Sequence, residues 1–233
     1  MNEVILIASL AVIYGGVILS YRFFGKTGLF AFNAIVTVLA NIEVLILVNA
    51  FGMEQTLGNV LFASTYLITD ILSENEGKKQ ANKAVNIGIF AAVSMVVITQ
   101  SWFLYSPADS DWAMPSITAI FSTTPRLLLA SLIGFTISQK IDVFLYHKWW
   151  NLTENKTGNK RKFLWLRNNG STLVSQIINT VLFNIIAFAG IYDASTLLSI
   201  IISGYIIYVA TSLLDTPVVY LARKLKDKGK IPE

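Results

Sequence analysis

Hydrophobic residues fall along this chain in long blocks separated by short polar stretches, without the strict alternation of a half-buried strand. A helix that crosses the hydrocarbon core of a bilayer needs about 20 mostly apolar residues at 1.5 Å each. Seven segments meet or approach that length: 4–21, 30–50, 57–72, 84–105, 126–146, 171–192 and 196–221. The third is the shortest, and tilt, a break or a locally thinned bilayer would accommodate it. The pattern predicts an all-α, polytopic transmembrane bundle of six to seven spans, seven favoured, forming a single integral membrane domain over 1–233. The first block lacks a positive leader and exceeds the apolar core of a signal peptide, so it reads as a span. Within it Ala11 and Gly15 form a small-xxx-small pair suited to close helix packing.

Charge placement orients the bundle. Cytoplasmic loops are enriched in Lys and Arg. Sixteen of the 18 basic residues lie in loops 22–29, 73–83 and 147–170 and in the tail after 221, while the amino terminus and loops 51–56, 106–125 and 193–195 have none. Seven spans with the amino terminus outside and the carboxyl terminus cytoplasmic satisfy this alternation, and omitting the short third span would break it. Anionic headgroups account for the net charge of +4, and no RNA-binding module accompanies it, so no nucleic-acid partner is expected. Trp102, Trp112, Trp149, Trp150 and Trp165 sit at or beyond span ends, where indole bridges headgroup and hydrocarbon.

Composition agrees with the pattern. Of 233 residues 54% are hydrophobic and 14% charged, against roughly a quarter charged in soluble domains, and the mean hydropathy is +0.60. With no cysteine there is no disulfide framework, thiol nucleophile or zinc-thiolate site. No His or Cys cluster suggests a metal, and no Gly-rich phosphate loop or hydrolase elbow suggests a cofactor or a hydrolytic enzyme.

Polar residues inside the spans carry the chemistry, because an ionisable group at membrane depth costs on the order of 3 kcal/mol. Tyr66, Asp70 and Glu74 follow i, i+4, i+8 in the third span. Ser131, Phe135, Gln139 and Asp142 share one face of the fifth. Thr172, Ser175, Gln176, Asn179, Thr180 and Phe183 form a stripe on the sixth; Tyr205, Tyr208, Ser212 and Asp215 form another on the seventh. Asn41 lies near mid-depth in the second, and Arg126 at the outer end of the fifth. These faces must turn inward, toward protein or a water-filled cavity. Interhelical hydrogen bonding explains Ser and Thr alone; the carboxylates and carboxamides together indicate a binding cavity, set in the cytoplasmic half of the bundle. An intramembrane enzyme using Asp70 and Asp142 as acid and base is the third-ranked alternative.

At these polar faces the sequence resembles a known family, the queuosine precursor transporters, also grouped as vitamin uptake transporters. The resemblance runs from about Asn33 to Tyr220, through YLITDILSE (66–74) with Gly77, FSTTPRLLLASLIGFTISQKIDVFLY (121–146), STLVSQIINTVLF (171–183) and TPVVY (216–220). It implies uptake of a 7-deazaguanine such as preQ0, preQ1 or queuine across the cell membrane for salvage of tRNA queuosine. Asn41, Asp70, Glu74, Arg126, Ser131, Gln139, Asp142 and Gln176 match the family pattern residue by residue. The chain departs from its relatives at Ala63-Ser64 (usually Pro-Leu), Asn179 (usually Asp) and Tyr208 (near a Lys), which changes what the cavity offers. A guanine-like edge presents donors beside a carbonyl acceptor, so carboxylate and carboxamide groups can pair with it while Phe or Tyr stacks on the ring. Another planar heterocycle, or service as the substrate-capture subunit of an energy-coupling complex, are the alternatives. Partners expected are the small-molecule substrate and the lipid bilayer, with room for a homodimer or an energy-coupling partner.

Overall fold

A computed structural model describes residues 1–121 and 125–232. Among these the elements follow in the order α1 (Asn2–Glu43), β1 (Leu47–Ala50), β2 (Met53–Thr56), α2 (Gly58–Asn75), α3 (Lys78–Trp102), α4 (Met114–Phe121), α5 (Pro125–Thr157), α6 (Leu164–Phe188) and α7 (Ala194–Asp227). Five of them, α1, α3, α5, α6 and α7, are long and apolar enough to cross a membrane. Residues 122–124, part of the family-like run that starts at Phe121, lie outside the described residues.

The first element is a helical hairpin. Gly25 has φ 58° and ψ −146°, a conformation that a residue with a Cβ rarely adopts. Beyond it the chain doubles back, so that a Cβ on Gly16 would stand 2.8 Å from Phe32 Cζ. On one straight helix those positions would be about 24 Å apart. The expected spans 4–21 and 30–50 are therefore the two limbs of α1, and the expected loop 22–29 contracts to a kink. The first limb packs through Leu10, Tyr14, Val17 and Tyr21, all buried, rather than through Ala11 and Gly15. Ala11 is exposed, and a Cβ on Gly15 would meet nothing within 4 Å.

Span limits shift elsewhere for identifiable reasons. The second limb ends at Glu43 instead of residue 50, because Leu47–Ala50 pairs antiparallel with Met53–Thr56, from Leu47 opposite Thr56 to Ala50 opposite Met53. Phe51 and Gly52 turn the hairpin with φ 54° and 73°, the two positive values that a two-residue primed turn requires. A short apolar run cannot be told from a helix end by hydropathy alone. The expected span 84–105 is α3, which starts earlier and stops at Trp102, and α4 occupies part of the expected loop 106–125. Helix α5 continues past 146 to Thr157, α6 is displaced from 171–192 to Leu164–Phe188, and α7 outruns 196–221 at both ends. The long polar loop 147–170 thus reduces to 158–163. Charged residues end a membrane span without ending a helix, so the backbone runs on beyond the apolar block.

Helix α2, which covers the expected third span, lies at the centre of the packing. Every residue from Val60 to Ser73 is buried. Its sequence mixes Ser64, Thr65, Tyr66, Thr69, Asp70 and Ser73 among Leu and Ile, a surface that lipid cannot solvate, so α1, α3, α5 and α7 pack around it. Charge divides the two ends of the bundle. At the basic end Arg22 donates to the Lys230 carbonyl, Lys226 pairs with Glu76, and Arg161 makes a two-point contact with Asp227 at 2.6 and 2.9 Å. At the far end Asn2 Nδ2 donates to the Asn49 carbonyl and the Phe51 amide donates to Glu3, tying the first limb to the hairpin turn.

Candidate functional site

The site is built from stripes on four helices. Along α6, Gln176, Asn179, Thr180, Phe183 and Asn184 recur at the three-and-four spacing of one helix face. Helix α5 approaches that face closely because residue 134 is glycine: a Cβ there would lie 2.8 Å from Asn179 Oδ1. Gly204 on α7 lies across from Thr180. Toward the far end these helices line a cavity of about 360 Å³ with the start of α2 and the β-hairpin. That volume falls within the range of small-molecule sites.

Its wall is largely aromatic and apolar, with Phe62, Phe183, Phe188, Tyr192 and Tyr208, and it carries polar groups from Gln55, Asn59, Ser131, Asn179, Thr180 and Asn184. Tyr208 donates to Asn59 Oδ1 at 3.1 Å, which fixes one carboxamide at the rim between α2 and α7. Gln55 Nε2 is buried without an acceptor among the described residues. Flat aromatic faces beside fixed carboxamides suit a planar, hydrogen-bonding ligand.

Of the residues expected from sequence, Ser131, Asn179 and Tyr208 line this cavity. Asn41 lies behind it, accepting from Ser131 Oγ at 2.8 Å. Phe135 backs the wall, its ring 6.4 Å from Phe62. Tyr66, one turn of α2 beyond Phe62, donates to Ser138 Oγ at 2.6 Å. Gln139 is spent at both ends: Nε2 donates to Thr65 Oγ1 at 2.7 Å and Oε1 accepts from Thr69 at 3.3 Å.

Deeper still is a layer of buried acids. Asp70 accepts from Thr172 Oγ1 at 3.2 Å, Asp142 from Ser175 Oγ at 2.9 Å, and Asp215 from Asn168 Nδ2 at 2.8 Å. Gln176, also buried, leaves Oε1 without a donor among the described residues. Two further expected residues are also absent from the cavity lining. Glu74 is at the basic end, clamped by Arg167 at 2.6 Å, Arg223 at 3.2 Å and the Tyr146 hydroxyl at 2.8 Å. Arg126 is at the far end, donating to the carbonyls of Ile186 and Ala189 at 2.5 and 2.6 Å, where it caps the last turn of α6.

The cavity therefore sits toward the far end, with the acids beneath it, rather than being made by them. Among the lining residues that went unassigned in the sequence are Gln55, Asn59, Phe62 and Asn184. Extending the Tyr66, Asp70, Glu74 column toward the start of α2 leads to Phe62 and Asn59, and extending the α6 stripe leads to Asn184. Gln55 carries no such periodic signal, since it belongs to a strand inside a stretch read as a loop.

Long apolar helices wrapped around a polar centre define a multi-pass membrane protein. The chain belongs to the putative vitamin uptake transporter family, whose pattern matches residues 56–222. A relative from Bacillus subtilis (strain 168), a probable queuosine precursor transporter, is 40% identical over 209 residues that cover 90% of this chain and 89% of that protein. Residues 1–107 also match a family of unknown function. No solved structure matches the chain.

Proposed function

We propose that this protein imports a 7-deazaguanine queuosine precursor across the cytoplasmic membrane, by secondary or facilitated transport, and that the far-end cavity is its outward-facing binding site. The observation that carries this reading is the cavity itself: aromatic walls and fixed carboxamides, lined by residues at the end opposite the basic cluster. With the two limbs of α1 and α2 counted beside α3, α5, α6 and α7, the chain makes seven crossings. The rule that basic loops stay cytoplasmic places the cavity outside. The Glu74–Arg167–Arg223 cluster then closes the cytoplasmic end in this conformation, as alternating access requires.

Aromatic residues stack on the flat ring. Asn59, Asn179 and the unpaired Gln55 Nε2 meet its hydrogen-bonding edge. Loss of one such neutral bond costs about 1 kcal/mol, roughly fivefold in affinity. Titration of the purified protein with preQ0, preQ1 and queuine tests the assignment. Binding of at least one of them, weakened about fivefold or more by Asn179→Ala and by Tyr208→Phe, is the expected result. Wild-type affinity in both variants would remove the cavity as the site.

A further inference from the structure

Beneath the cavity lies a pair of acids whose hydrogen bonding is incomplete. Asp70 on α2 and Asp142 on α5 are both fully buried and reach one another within hydrogen-bonding distance. Hydroxyls of α6 hold both acids: Thr172 donates to Asp70 and Ser175 to Asp142, with Ser171 and Thr172 also beside Asp142. Asp70 Oδ1 and Asp142 Oδ2 have no donor among the described residues.

Among the described residues no cation pairs with either acid. Arg167 is committed to Glu74, as is Arg223, and neither acid takes part in an ion pair. The other titratable groups that face the pair are Tyr66 from α2, Tyr146 from α5 and Asp215 from α7. None supplies positive charge, and Asp215 adds a third carboxyl. Two neighbouring buried carboxylates repel each other, and burial adds a desolvation cost to each charge. One proton between them removes a charge and supplies the missing donor as a strong O–H···O⁻ bond.

We propose that Asp70 and Asp142 together form a proton site, and that the proton bound there is the coupling ion of transport. The coupling half of this inference rests on the import reading above. Helix α6 links the two sites physically: Thr172 and Ser175 hold the acids, and one to two turns further Asn179, Thr180 and Phe183 line the cavity. A movement of α6 around bound solute changes the acids' hydroxyl partners. In each cycle one proton enters from outside, is held between the carboxyls, and leaves to the cytoplasm with the solute; no bond other than the proton's own O–H forms or breaks.

Two measurements test it. Infrared difference spectra of the purified protein without solute should show a carboxylic C=O band that Asp70→Asn and Asp142→Asn each abolish, and that Asp70→Glu retains. The band surviving both Asn variants would overturn the proton site. In proteoliposomes clamped at zero membrane potential, an outside-acid gradient of one pH unit should drive up to about tenfold accumulation of neutral preQ0, the equivalent of 1.36 kcal/mol, and both Asn variants should lose it. Accumulation driven by a sodium gradient, or unaffected by pH, would overturn proton coupling. A protein that shows the infrared band yet binds no 7-deazaguanine would refute the import reading while leaving the proton site standing.

Discussion

Arg167 shows how far a residue's surroundings can redefine it. By sequence it is one basic residue in a cytoplasmic loop; in the structure it is fully buried in α6, paired with Glu74 and lying over the Trp150 ring at 4.2 Å from its centroid. Removing one partner of a buried pair leaves the other charge uncompensated, a cost of about 3–5 kcal/mol. Arg167→Ala should therefore lower the unfolding temperature in detergent markedly. Replacing Glu74 and Arg167 together by Leu should cost less than the two single changes summed, and strict additivity would show that the pair is not coupled. Asn179 is the opposite case, since its Oδ1 packs against the bare backbone of Gly134. A Gly134→Ala change must push α5 and Asn179 apart, so it should weaken solute binding more than it lowers thermal stability, as comparison of affinity with melting temperature would reveal.

Elements were legible in the sequence to the extent that lipid dictates them. Seven apolar blocks correspond to two limbs of α1 and five further helices, and the short third block is α2, which the alternation of basic and non-basic loops required. What escaped was what tertiary contacts decide: the strand pair at 47–56, whose turn rests on Phe51 and Gly52, and helix ends that overrun the apolar block. The hairpin of α1 hinges on Gly25, where a Cβ would also meet the Pro232 carbonyl oxygen at 2.5 Å. Gly25→Ala imposes both a strained backbone and a clash, and strain of this kind costs of order 1–3 kcal/mol; a drop in unfolding temperature checks it. At the start of α7, Asp193 accepts from the Thr196 amide at 2.8 Å and from the Ser195 and Thr196 hydroxyls. The Thr196 amide bond leads the effects that hold its carboxyl down to about 2. A depressed value means the cap is complete above the ordinary carboxylate range and is lost as pH falls through about 2. Asp193→Ala should speed amide exchange across the first turn of α7 at neutral pH, with no change in the other helices.

Across the whole molecule, polar function is layered along one axis: a carboxamide and aromatic cavity, a stratum of buried acids, and an ion-paired closure at the basic end. The stripes on α2, α5, α6 and α7 made the inward-facing chemistry visible in sequence. Their depth was not, because hydropathy gives no register between helices, and a search for ionisable groups is drawn to the acids before the carboxamides that line the cavity. The central claim is import of a queuosine precursor through that cavity. It is tested most directly in a cell that depends on salvage and lacks its own transporter, expressing this chain and supplied with one precursor at a time, by measuring queuosine in tRNA. Queuosine restored by at least one 7-deazaguanine with the wild-type chain, and reduced with Asn179→Ala at equal membrane abundance, is the predicted result; tRNA without queuosine under every precursor, with the protein present in the membrane, would contradict it.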